Sequence, residues 1–159
     1  MAHKTDTTLT GAAGEHLVLS RLLQRGIVAA QAPEGVRTVD LLVNPLDGGQ
    51  PVFLQVKSRQ FGSDGGWHMR KKHEEITEPN IYYCFVDFEP ENPVVFVVPS
   101  KVVAHAIAED HRIWLETPGR KGQAHNDHDM RRVRPTMFCM PDGWMEEYRE
   151  NWDLLRYVP

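Results

Sequence analysis

The chain has 159 residues, of which 41% are hydrophobic and 25% charged, and a formal net charge of −4. That length suffices for one domain with a real core, and the negative charge argues against non-specific nucleic-acid binding by the whole surface, which depends on Lys and Arg neutralising phosphates. The two cysteines, Cys84 and Cys139, make neither a CxxC metal knuckle nor a disulfide framework, and no run nears the ~18 apolar residues of a membrane span. The expectation is a single cytoplasmic domain over 1–159, with no membrane partner.

Residues Thr8 to Gln24 read as a first helix, with Thr7 or Thr8 as its cap and Gly26 as its stop. Gly11, Ala12, Val18, Leu19 and Leu22 share one face at helical spacing, and Glu15 lies in the middle of it. An ionised acid among apolar groups is costly unless it is paired or holds a metal. Glu15 either salt-bridges an arginine such as Arg37 or snorkels at the edge of the stripe, or it points at the corner formed by Asp40, Gln55 and Lys57. The small residues of Gly11-Ala12-Ala13-Gly14 would let the helix come close to a sheet.

Ile27 to Ala30 is a short strand, and Gln31 to Gly35 a loop. Two β-branched runs follow, Val36 to Val43 and Val52 to Val56, around Asn44-Pro45-Leu46-Asp47-Gly48-Gly49, a combination that predicts a β-hairpin. Side chains two apart on a strand share a face, about 7 Å apart at roughly 3.3 Å per residue, so Gln55 and Lys57 point one way while Val52, Leu54 and Val56 take the other. An acid facing an amide oxygen and an ammonium can hold a hard cation, which prefers oxygen ligands and keeps several waters, with the lysine stabilising charge on a phosphate. A cross-strand ion pair between Asp40 and Lys57, with Gln55 as a polar neighbour, accounts for the same residues.

After the hairpin, Gly62 to Gly66 is flexible in composition, and Trp67-His68-Met69-Arg70-Lys71-Lys72-His73 is basic and aromatic. This reads as a loop that closes over a polynucleotide, with Trp67 stacking on a base, or as a solvated loop with a buried tryptophan. Arg59, Trp67, Arg70, Lys71 and Lys72 are the candidate nucleic-acid contacts. A second basic cluster comprises Arg120, Lys121, Arg131, Arg132 and Arg134.

Ile81 to Phe88 and Val94 to Val98 are continuous apolar runs, which suggests central strands covered on both faces. Ser100 is placed to cap a helix through Ala108 with Val102, Val103, Ala106 and Ile107 facing inward. His125-Asn126-Asp127-His128-Asp129 contains imidazoles and carboxylates that suit a transition metal, without a recognised ligand spacing. Residues Trp144 to Leu155 read as a closing helix with aromatics against the sheet. The class is α/β: a central mixed sheet of four or five strands flanked by helices.

GAAGE on the first helix, then VDLLV, LQVKSR and the IYYCFVDF and VVFVVPS strands, resembles the PD-(D/E)xK nuclease superfamily, the restriction-endonuclease-like fold. The likeness is to its small single-domain members and to Holliday-junction-resolvase-like nucleases, and it covers most of the chain in element order. It implies that Asp40 is the bridging metal ligand, that Lys57 is the catalytic lysine, and that Gln55 stands at the second acidic position. Glu15 would complete the metal site, with the Val56 carbonyl beside it. The implied activity is DNA phosphodiester cleavage with Mg²⁺, for which Mn²⁺ substitutes, and many relatives act as homodimers. Two positions depart from the pattern: Gln55 replaces an acid, and Val39 stands where the motif's name has proline. A nuclease-fold protein that binds or assembles on nucleic acid without cleaving it is the alternative. A metalloenzyme built on His125, His128 and Asp129 is the third possibility.

Overall fold

The computed structural model describes residues 6–45, 48–60 and 65–156. Helix α1 runs Thr7–Gln24, followed by strands β1 (Val28–Gln31), β2 (Leu41–Asn44), β3 (Val52–Arg59) and β4 (Trp67–Arg70). Strands β5 (Ile81–Asp87) and β6 (Val94–Pro99) precede helix α2 (Ser100–Glu116), and β7 (Met130–Val133) comes last. Leu46, Asp47 and most of the glycine-rich loop lie outside the described residues.

Five strands form a mixed sheet in the order β1-β2-β3-β5-β6. Only β3 and β5 are parallel, and the crossover between them carries β4 and a single-turn 3-10 helix, Lys71–Glu75. One face is covered by α1 through Val18 and Leu22, which meet Leu41, Val52, Leu54, Val56, Cys84 and Val97. The opposite face meets α2 through Val103, Ala106 and Ile107, packed with Tyr83, Phe85, Phe96 and Val98. The expected two-faced burial of both long apolar runs is therefore present, although β6 is an edge strand in the ladder. Its outer side is covered by the C-terminal segment, where Glu150 N–H donates to the Val95 carbonyl at 2.8 Å and Phe96 bridges Arg149.

Several local expectations are corrected. The cap of α1 is Asp6, whose carboxylate accepts from Thr8 N–H at 2.9 Å, one residue ahead of the predicted threonines. Gly26 does end the helix, at φ 71°. Strand β2 begins at Leu41 rather than Val36, because residues 36–39 turn into it, with Thr38 at φ 64°. Helix α2 runs eight residues beyond the predicted end, and the Ser100 hydroxyl bonds the Glu78 carbonyl at 2.8 Å instead of capping it. The predicted closing helix is two short 3-10 turns, Glu146–Tyr148 and Trp152–Leu155, broken where Glu150 adopts φ 49°. Trp144 and Trp152 nevertheless pack inward as expected. Residues 67–70 are not a loop: β4 pairs antiparallel with β7 as a separate ribbon.

Candidate active site

Strand alternation sorts β3 as its sequence demands. Val52 and Leu54 are fully buried toward α1, while Gln55, Lys57 and Arg59 face the α2 side beside Tyr83, Phe85 and Asp87 of β5. Strand β2 stops at Leu41, opposite Leu54, so β3 continues alone on that side. Asp40 fills the gap: its N–H donates to the Leu54 carbonyl at 2.8 Å, and its Oδ2 accepts from Val56 N–H at 2.7 Å. A carboxylate thus replaces the missing ladder partner, which fixes Asp40 against the Gln55–Val56 backbone and leaves Oδ1 for other work.

Glu15 arrives from the other side of the sheet. A Cβ on Gly14 would sit 1.8 Å from Ser58 Oγ and 3.5 Å from Val56 Cγ1, so only glycine permits this helix-to-strand approach. Gly11 has no such neighbour, and Ala12, predicted on the buried face, is exposed. Glu15 makes no ion pair among the described residues, with Arg37 or any other cation. Partial burial, and next the Asp40 charge, hold its carboxyl above the usual carboxylate range. Asp40 also acts on Lys57, favouring the ammonium, but burial outweighs it and, with Lys72 and Arg70 adding repulsion, the Lys57 pKa falls. Asp40 is therefore the shared electrostatic neighbour of Glu15 and Lys57, across an edge that β2 leaves open.

Gln55 and Lys57 line a hollow of about 470 Å³ with His68, Arg70, Lys72, His73 and Asp129. His73 is buried, with its Nδ1 2.9 Å from the Tyr83 hydroxyl. Burial, then the Lys57 charge, pushes its pKa down to about 4, and burial raises that of Tyr83, so both are neutral at physiological pH. Gln55 is 8% exposed, and its Oε1 is buried without a hydrogen-bond partner. An orphaned amide oxygen costs about 1–3 kcal/mol unless something else satisfies it. Asp40, Glu15 and Gln55 all offer oxygen donors, the type a hard cation such as Mg²⁺ takes, with Gln55 facing the α2 side of the sheet and Glu15 coming from the α1 side. No group of three His, Cys, Asp or Glu gathers among the described residues.

The remaining candidates divide. Arg70 and Lys72 border the Lys57 hollow, although Arg70 pairs with Asp129 at 2.8 Å. Lys71 points elsewhere, 3.7 Å from Asp127. Trp67 is not available to stack on a base: it is 1% exposed, its Nε1 donates to the Val86 carbonyl at 2.9 Å, and it packs on Phe85 and Phe96. Arg59 is likewise turned inward, paired with Asp87 at 2.6 Å and lying 4.1 Å over the Trp67 ring. In the second basic cluster, Arg131 is buried against Glu74 and Arg134 pairs with Asp110 at 2.9 Å. His125 and His128 pack around Trp114, and Asp129 bonds Arg70, so the proposed metal trio does not assemble. Sequence reasoning missed His73 and Tyr83; the alternation of β5 places Tyr83 on the Phe85 face, but nothing local marks its partner.

No family model matches the chain, and no curated protein matches it significantly. Among solved structures it is similar to a bacterial homing endonuclease, I-Ssp6803I, with a TM-score of 0.55 and 16% identity over 95% of this chain and 91% of that one. At that identity the likeness is one of fold alone, which in this chain is a mixed five-stranded sheet flanked by helices.

Proposed function

We propose that the chain is a metal-dependent endonuclease of the PD-(D/E)xK type that hydrolyses DNA phosphodiester bonds. The observation that carries this is Asp40, held by Val56 N–H and acting electrostatically on both Glu15 and Lys57, against a strand whose Gln55 side-chain oxygen is buried without a partner. Glu15, Asp40, Gln55 Oε1 and the Val56 carbonyl would hold Mg²⁺, or Mn²⁺ in its place. When bound, the cation supplies Lewis-acid charge and lowers the pKa of water. Asp40 orients the site through its fixed carboxylate. Lys57, whose ammonium is penalised by burial, offers Nζ as a group that gains stability when negative charge develops on the phosphate. Arg70 and Lys72 at the rim attract the backbone.

Cleavage of plasmid, linear duplex, four-way junction and single strand in Mg²⁺ and Mn²⁺ tests this, comparing wild type with Lys57→Ala. Cutting by the wild type alone is expected; folded protein that cuts nothing overturns the proposal. Gln55, which lacks the charge of the usual acid, favours a second possibility, a nuclease fold that binds DNA without cutting. It requires binding indifferent to Lys57→Ala but weakened by loss of Arg70, Lys71 and Lys72.

A further inference from the structure

Strands β4 and β7 form a two-stranded ribbon apart from the main sheet, and their side chains alternate as strand geometry requires. Trp67, Met69, Arg131 and Val133 are buried on the inner side. Three of them join the apolar cluster around α2, and Arg131 pairs with Glu74. The outer side carries His68 opposite Arg132 and Arg70 opposite Met130. His68 and Arg70 are exposed, Arg132 is half-buried, and Met130 is 46% exposed. This outer face is cationic: Arg70 and Arg132 lie on it, and neither strand contains an acid. Asp127 and Asp129 precede β7, but Asp127 is met by His111 at 2.8 Å and Lys71 at 3.7 Å, and Asp129 by Arg70 at 2.8 Å. Exposed pairs of this kind are worth little, so Arg70 can exchange its carboxylate for a phosphate at small cost.

The ribbon also borders the candidate active site, since His68, Arg70 and Met130 line the hollow that holds Lys57. Whatever lies along its outer face is thereby led to that hollow. A two-stranded ribbon fits the major groove of B-DNA, about 12 Å wide, whereas the minor groove, about 6 Å wide, does not admit one. We propose that the outer face of the β4–β7 ribbon docks in the major groove of duplex DNA beside the scissile phosphate, with Arg132 and Met130 toward the base edges and Arg70 toward the backbone. This rests on the proposed action on DNA and narrows it: the substrate is double-stranded where the ribbon lies, and its affinity depends on what the major groove displays. The side chains suit that role, because a guanidinium matches the two acceptors of guanine and an apolar group packs on the thymine methyl.

The test is competition binding in EDTA, where metal-dependent cleavage is blocked. Random-sequence duplex is compared with duplex of the same length in which glucosylated 5-hydroxymethylcytosine replaces cytosine, filling the major groove while leaving the backbone charge in place. The glucosylated duplex should bind about ten-fold more weakly, the worth of one good base-edge contact, and distamycin, which occupies the minor groove, should not displace the protein from A·T-rich duplex. Arg132→Gln should erase the difference between the two duplexes while near-ultraviolet circular dichroism stays unchanged. Equal affinity for both duplexes, displacement by distamycin, or no binding to either overturns the docking. A dimer in sedimentation velocity that Arg132→Glu disperses gives the face to a second copy of the chain and overturns it as well. Preference for the open groove without Mg²⁺-dependent cleavage would remove the hydrolysis proposal and leave the ribbon standing; cleavage without preference does the reverse.

Discussion

On one side of β3, Val52, Leu54 and Val56 vanish into a continuous apolar layer beneath α1; on the other, the same alternation presents Gln55, Lys57 and Arg59 among the polar groups of the crossover. The first side meets the demands of a core except at Ser58, whose Oγ is buried without a partner where α1 approaches. The second violates them, with an orphaned amide oxygen, an ammonium disfavoured by burial, and a neutral histidine and tyrosine. One strand therefore carries both stability and chemistry, and the two should separate under substitution.

The largest expected separation is in rate. Asp40→Asn and Lys57→Ala should each lower Mg²⁺-dependent cleavage at least about 100-fold, with circular dichroism showing an intact fold. Leu54→Ala, on the apolar side, should cost about 2–5 kcal/mol in urea unfolding yet leave the affinity for Mg²⁺ in isothermal titration unchanged. Weakened cation binding in that variant would mean that the two sides are not independent. Gly14→Ala should cost about 1–3 kcal/mol by overpacking against Ser58 Oγ, and the double variant Gly14→Ala, Ser58→Gly should recover much of it.

The smallest effects concern pH, and they run against intuition. The Lys57 pKa is lowered on folding, so its contribution is most favourable above the ordinary lysine range and is lost as pH falls through the folded value. Lys57→Met should therefore be more stable than wild type at neutral pH, an advantage that shrinks on going alkaline. The Glu15 pKa is raised, so its contribution is fully present in acid and fades as pH rises through the folded value. Glu15→Gln should gain in relative stability over that range when no divalent cation is added. Urea midpoints measured across pH check both, and a Lys57→Met variant less stable at neutral pH would deny that burial strains the lysine.

Much of this was legible in the chain because the informative relations are short-range. The hairpin of β2 and β3 joins residues close in sequence, so Gln55 and Lys57 are read onto one face from strand alternation, and Glu15 stands out as an acid on a helical face, whereas Asp40 lies ahead of β2 and meets β3 through its own hydrogen bonds. What escaped is non-local. The pairing of Trp67 with Val133 joins residues far apart in sequence and turns an apparently exposed basic stretch into a ribbon that buries its tryptophan. Arg59 follows from that, since its inward partner is the same indole. The closing segment carries helix-compatible aromatics, but tertiary hydrogen bonds at Glu150 override local preference.

That residue does more than break a helix. The Glu150 carboxylate binds Arg21 on α1, Val95 N–H on β6 and Trp152 Nε1, and so ties together parts of the chain separated by up to 129 residues. During synthesis, the helix that bears Glu15 can form early, but its lock is made only once the segment around Glu150 has left the ribosome. A nascent chain halted before that point would hold the parts of the candidate site without the clamp that seats them, and would expose the outer edge of β6 to strands of its neighbours. Seating of α1 thus waits for the segment around Glu150, although Glu15, Asp40, Gln55 and Lys57 all lie far ahead of it in the sequence.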